Sequence, residues 1–202
     1  MTNRLEKLAA ALPEDLDAAL ITSDCNRLYY TGLASSAGIL LVTRSGSIFL
    51  IDSRYIEIAR KTIRSCEVEL LEKLGEQLRA LVKRYGLRRI GIESGYCTVS
   101  QFLSWKKEIS ECELVMDERV NDLICGQRMI KDEGELALIR QAQELTDRSF
   151  DYICGFIRPG MSEREIALEL EFYSRRIGSE GPSFDFIVVS GPNSSLPHGV
   201  PG

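Results

Sequence analysis

Between Asp17 and Met116 short apolar segments alternate with amphipathic ones, and this alternation restricts the fold more than any other feature of the chain. The segments Asp17 to Thr22, Gly38 to Thr43, Ser47 to Asp52, Glu67 to Leu71, Arg89 to Glu93 and Glu113 to Met116 read as strands. Arg44-Ser45-Gly46 separates the second from the third and signals a hairpin. Helical patterns lie between the others: Ser53 to Ser65 with Ile56, Ala59 and Ile63 on one face, Gly75 to Tyr85 with Leu78, Leu81 and Val82 inward, and Val99 to Ile109 around Trp105. A charged amphipathic helix over Met1 to Leu12 comes first, and Ser23-Asp24-Cys25-Asn26 reads as a turn. Strands alternating with helices, with one hairpin among them, predict an α/β domain built on a mixed sheet.

The texture then changes. Asp117 to Lys131 leads into a long helix that starts at the capping-box pair Asp132 and Glu135, runs to about Phe156, and is ended by Pro159-Gly160. Ser162-x-x-Glu165 is a second capping box, opening a helix that carries Ile166, Leu168, Leu170 and Phe172. A buried strand from Phe184 to Val189 is expected next, followed by the turn-rich Ser190 to Ser195 and then Pro197-His198-Gly199. Two helices need a sheet to lie on, and a lone strand would leave its backbone groups and an apolar face unpaired. The expected organisation is therefore a complete mixed-sheet unit over roughly residues 1–117, then residues 132–202 as the opening of a second domain.

Composition narrows the function classes. The 202 residues carry a net charge of -5, which argues against broad nucleic-acid or anionic-membrane binding, since either needs a basic surface. No apolar run approaches the roughly 20 residues that span a bilayer. The first helix is too charged for a secretory leader, so a cytoplasmic location is expected. The six cysteines are scattered singly, with neither zinc-finger spacing nor an adjacent histidine, and read as free thiols.

One histidine is present, His198. Pro197 fixes the backbone before it and Gly199 gives room after it, as suits an imidazole held at a defined angle for a ligand. Solitary histidines are more often structural or solvated, so position alone does not assign it.

Several short motifs, in order, resemble the proline-specific peptidases of the pita-bread fold, which include prolidase, Xaa-Pro aminopeptidase and creatinase. Asn26-Arg27-Leu28-Tyr29-Tyr30-Thr31-Gly32 resembles their N-x-x-Y-x-T-G, and Asp52-Ser53-Arg54-Tyr55 their D-x-R-Y. Arg128-Met129-Ile130-Lys131 through Glu135 resembles their R-x-I-K-x-x-x-E, and Arg158-Pro159-Gly160-Met161-Ser162-Glu163 their K-P-G-M-T-E. Phe184 through Ser190-Gly191 to Pro197-His198 resembles their F-x-x-I-V-x-S-G with its following P-H.

The resemblance implies a creatinase-like mixed-sheet amino-terminal domain over residues 1–126, followed by the truncated start of a pita-bread α+β domain over residues 127–202. It also implies a metallopeptidase that hydrolyses the bond before proline in a peptide substrate, using two divalent metal ions (Mn, Co or Zn), commonly as a homodimer. The family's metal ligands lie beyond its P-H motif, so no ligand is expected here and the chain alone is expected to be inactive. His198 matches the family's non-ligand active-site histidine. Arg54, Tyr55 and Phe184 are weaker substrate-binding candidates: Asp52 and Arg54 could simply anchor a turn, and Phe184 could be a core aromatic. Glu93 and Asp185, as single carboxylates, specify nothing. A creatinase-type amidinohydrolase and a non-catalytic binding protein of the same fold are the alternatives.

Overall fold

A computed structural model describes residues 4–202 of the chain. They divide into two compact units, residues 4–130 and 131–202. The first unit carries six strands in one mixed sheet: β1 (Ala18–Ile21), β2 (Ile39–Thr43), β3 (Gly46–Ile51), β4 (Glu67–Leu70), β5 (Arg89–Ile92) and β6 (Glu113–Val115), in the order β4-β3-β2-β1-β5-β6. β2 is antiparallel to both β1 and β3, whereas β4 is parallel to β3 and β5 is parallel to both β1 and β6. All six expected strand segments form strands.

The apolar runs are continuous because helices cover both faces of the sheet. On one face Leu20, Ile39, Leu41, Ile48, Leu50, Ile90 and Ile92 meet α4 (Leu74–Tyr85) through Leu78, Leu81 and Val82, and α5 (Val99–Glu108) through Trp105. On the other, Ala19, Ile21, Leu40, Val42, Phe49 and Ile51 meet Leu5 and Leu8 of α1 (Arg4–Ala11), Ala59 of α3 (Ile56–Thr62), and Val120 and Ile124 of α6 (Arg119–Met129). Neighbouring residues of β2 thus face opposite cores, as the two-residue repeat of a strand requires. Each fully buried Leu, Ile or Phe contributes about 1.5–3 kcal/mol of transfer free energy. Gly91 of β5 lets α6 approach: a Cβ there would stand 2.6 Å from Val120 Cγ2 and 2.9 Å from Leu16 Cδ1.

One expectation needs revision in this unit, and two others meet its edges. The helix expected over Met1 to Leu12 falls partly on residues 1–3, which lie outside the described residues; among those described it is α1, Arg4–Ala11. The turn expected at Ser23 to Asn26 is instead the start of a helix, α2 (Asp24–Thr31). Its buried residues are Asn26 and Arg27, held by polar contacts, and Tyr30, which alone of the three joins the apolar core, so hydrophobic periodicity passes over it. The sequence-based boundary between residues 126 and 127 falls inside α6, three residues short of its last residue, Met129.

The second unit consists of α7 (Glu133–Phe156), α8 (Glu163–Arg176) and a short 3-10 turn, Gly191–Ser195. Both capping boxes form: Asp132 Oδ1 accepts from Glu135 N at 2.9 Å, and Ser162 Oγ accepts from Glu165 N at 3.2 Å. The helices pair through the stacked rings of Tyr152 and Tyr173, 3.8 Å apart, through Ser174 Oγ donating to Ser149 Oγ, and through the Tyr152 hydroxyl donating to Glu169 at 2.6 Å. The strand expected at Phe184 to Val189 is absent. The segment has no ladder partner among the described residues, Phe184 is 73% exposed, and the core it was expected to fill is not formed there. A strand without a neighbour cannot satisfy its backbone groups, which is why an apolar pattern alone does not make one.

Candidate functional site

The most exposed chemistry of the second unit lies on the loop from Ser190 to Gly202. Gly191 opens it with φ +51, and the 3-10 turn closes with Leu196 N donating to Asn193 O. Pro197 and His198 then occupy a turn in which Gly199 N donates to Leu196 O at 3.1 Å. Gly199 is buried, and a Cβ on it would lie 2.5 Å from Val189 Cγ1, so the extended segment and the loop touch only because this residue has no side chain. The His198 side chain is exposed beside this contact.

Glu163, the first residue of α8, ties the loop down. Its Oε1 accepts from Ser190 N at 2.6 Å and from Ser190 Oγ at 3.1 Å, and its Oε2 accepts from Gly202 N at 3.2 Å. Asn193 Nδ2 lies within 3.4 Å of both oxygens. Arg164 N donates to Gly202 O at 3.0 Å alongside. The side chain is only 8% exposed, yet the backbone N–H groups of Gly202 and Ser190 hold its carboxyl below the ordinary glutamate range.

Arg54 and Tyr55 lie in the first unit, just before α3. Arg54 donates from Nε and Nη2 to Asp52 Oδ2 at 3.0 and 2.6 Å, and the guanidinium keeps the Asp52 carboxyl below its ordinary range. That is the turn-anchoring pair. Tyr55 makes a 3.0 Å hydrogen bond with Ser36 Oγ, and the same contacts lower its phenol pKa. Phe184 stands exposed on the extended segment of the second unit.

The N-x-x-Y-x-T-G motif has a structural role in the first unit, one centred on Glu93 at the end of β5. Glu93 is fully buried, and its carboxylate accepts from the backbone N–H of Thr22 and Ser23, from Ser23 Oγ at 2.8 Å and from Asn26 Nδ2. The amide oxygen of Asn26 accepts in turn from Arg128 of α6 at 2.8 Å. The hydroxyls of Tyr29 and Tyr30 donate to the backbone and side-chain oxygens of Gln127 at 3.2 and 2.8 Å. The motif therefore joins α2, β5 and the last turn of α6. Sequence reasoning missed Glu93 and Glu163 because their partners lie 67 to 71 and 27 to 39 residues away.

Among the described residues no group of three or more His, Cys, Asp or Glu side chains is arranged to hold a metal ion. The six cysteines are free. No helix of the described residues is long and apolar enough to cross a membrane.

Comparison with known proteins follows the two units. The Creatinase/Prolidase N-terminal domain matches residues 4–130, and metallopeptidase family M24 matches residues 137–202. An uncharacterised peptidase of Bacillus subtilis, YqhT, is 37% identical over 98% of this chain and 56% of its own length. The Xaa-Pro dipeptidase of Pyrococcus horikoshii is 32% identical over 99% of this chain and 55% of its own. Among solved structures, the Xaa-Pro dipeptidase from Bacillus anthracis superposes with a TM-score of 0.88 at 33% identity, over 98% of this chain and 55% of that one. The chain thus spans about 55% of the length of these relatives. Its fold is the creatinase-like mixed-sheet domain followed by the opening helices of a pita-bread domain. With 127 of its residues matched by one family, the chain belongs to the creatinase/prolidase N-terminal domain family, joined here to a segment of metallopeptidase family M24.

Proposed function

We infer that these two units serve a metal-dependent Xaa-Pro peptidase, a dipeptidase or aminopeptidase of the cytoplasm that cleaves the bond before proline and works as a homodimer. The observation that carries this reading is His198: an exposed imidazole on a loop held at both ends, inside the segment matched by metallopeptidase family M24. An imidazole carries ring nitrogens that can donate or accept a hydrogen bond and pass a proton to a reacting group. Cleavage before proline expels a secondary amine that must be protonated, and places negative charge on the former carbonyl oxygen. His198 can serve either need by donating from a ring N–H. Phe184, exposed on the segment leading to the loop, offers an apolar surface for the proline ring.

The two divalent ions implied by the family resemblance take ligands that lie beyond its P-H motif. The chain by itself is accordingly expected to cleave nothing, with or without added metal. The test is a chimera in which this chain replaces the matching 55% of the Bacillus anthracis Xaa-Pro dipeptidase. It is expected to hydrolyse an Xaa-Pro dipeptide only with a divalent metal present, and His198→Ala is expected to lower kcat by about 100-fold. A folded, metal-loaded chimera that leaves the dipeptide intact would overturn the reading.

A further inference from the structure

Two motifs of the second unit, the Arg158-to-Glu163 turn and the Ser190-to-His198 segment, meet at one carboxylate. From this geometry we infer that Glu163 is a positioning residue for His198: it closes the Ser190–Gly202 loop at both ends and thereby fixes where the imidazole stands. The inference rests on the reading of His198 as a group that meets substrate.

A glutamate in the first turn of a helix is ordinarily explained by the helix dipole or by a capping box, with its carboxylate in water. Neither explanation covers Glu163. The capping box of α8 is completed by Glu165, whose Oε2 accepts from Ser162 N at 2.8 Å. Glu163 is instead nearly buried and directs both oxygens at the loop, where Ser190 N, Ser190 Oγ, Asn193 Nδ2 and Gly202 N converge on it. An ionised carboxylate, which only accepts, suits four donors; a Gln amide would turn an NH2 group toward some of them, and Asp would fall a methylene short. The turns inside the loop set its curvature but tie it to nothing else. The attachments to α8 are Glu163 and the bond from Arg164 N to Gly202 O. Without the carboxylate, Ser190 and Gly202 lose their shared anchor and His198 loses its fixed base.

Because His198 is the sole histidine, its ring protons give an unambiguous pair of NMR signals in the 202-residue chain. Glu163→Gln is expected to raise amide hydrogen exchange at Ser190 and Gly202 by about tenfold or more and to shift the His198 ring signals toward those of a free histidine. Glu163→Asp is expected to fall between. Tyr152→Phe is the control for general loosening of the helix pair, since it removes the bond to Glu169 without touching the loop, and it is expected to leave both readouts in place. Unchanged signals in Glu163→Gln, or equal changes in Tyr152→Phe, would overturn the assignment.

In the chimera, Glu163→Gln is expected to lower kcat by about 10–100-fold with KM within about twofold. Adding it to His198→Ala is expected to cost nothing further, because both act through one group. Additive losses would defeat the proposal while leaving the peptidase reading intact. A chimera with no activity would defeat that reading, and the exchange and ring signals would still decide whether Glu163 holds the loop.

Discussion

The two units are stabilised by different means. In the first, every strand is paired and apolar side chains fill both faces of the sheet, so order follows from burial and from a closed hydrogen-bond ladder. In the second, Ile153 is a buried apolar side chain on α7, while Leu138, Phe150, Leu168, Phe172 and Phe184 stand more than half exposed. Its order comes from local devices: two capping boxes, the Glu163 anchor and the stacked rings of Tyr152 and Tyr173. A unit of the first kind carries its own stability. One of the second kind has well-defined local geometry on a small core, with apolar surface of a kind that further protein normally covers.

The largest difference between the units is expected when a phenylalanine is truncated in each. Phe49→Ala, at a side chain fully buried in the sheet, is expected to cost about 3–5 kcal/mol in urea unfolding followed by the fluorescence of Trp105, the sole tryptophan. Phe150→Ala, two-thirds exposed on α7, is expected to change stability by less than about 0.5 kcal/mol. Equal costs would mean that the second unit has a core that the exposed rings conceal.

Between these extremes lies Glu93→Gln. It keeps the shape but turns an NH2 group toward buried donors, and it is expected to cost about 2 kcal/mol by the same measurement. A neutral outcome would place the stability of the first unit in its apolar faces alone.

Acid sharpens the contrast at smaller scale. Because the carboxyl of Glu163 is held below its ordinary range, its anchoring is fully present above the unfolded-state pKa of about 4.3 and is lost as pH falls through the lower folded value. The Ser190 amide resonance is expected to keep its bonded position through the ordinary glutamate range and to move to its unbonded position only at more acid pH. Raising salt to about 1 M is expected to leave that resonance in place, because the donors to Glu163 are neutral. The exposed Asp52–Arg54 pair of the first unit, by contrast, is expected to weaken.

What was legible in the sequence divides along the same line. Runs such as Gly38 to Thr43 and Ser47 to Asp52 announce themselves because two-sided burial demands uninterrupted apolar residues, and the capping boxes at Asp132 and Ser162 announce themselves because their partners lie three residues away. α2 was hidden because its buried positions are Asn26, Arg27 and Tyr30, whose burial depends on partners elsewhere in the chain. Phe184 to Val189 misled for the converse reason: the pattern of a strand is local, but its existence depends on a neighbour. Of the candidate site, His198 could be singled out and its anchor could not. Glu163 sits beside a capping box that accounts for Ser162 and Glu165, and nothing nearby in sequence points to Ser190, Asn193 or Gly202.

β1 joins the two halves of the sheet, antiparallel to β2 on one edge and parallel to β5 on the other. Its first partner follows about 20 residues later, its second about 70. On a ribosome adding about 5–20 residues per second, the β1–β2–β3 meander can form while the other edge of β1 waits roughly 4–14 s for Arg89–Ile92 to be made. During that interval Ala18 to Ile21 presents an unpaired apolar edge, the kind of surface that chaperones shield and that neighbouring nascent chains can join.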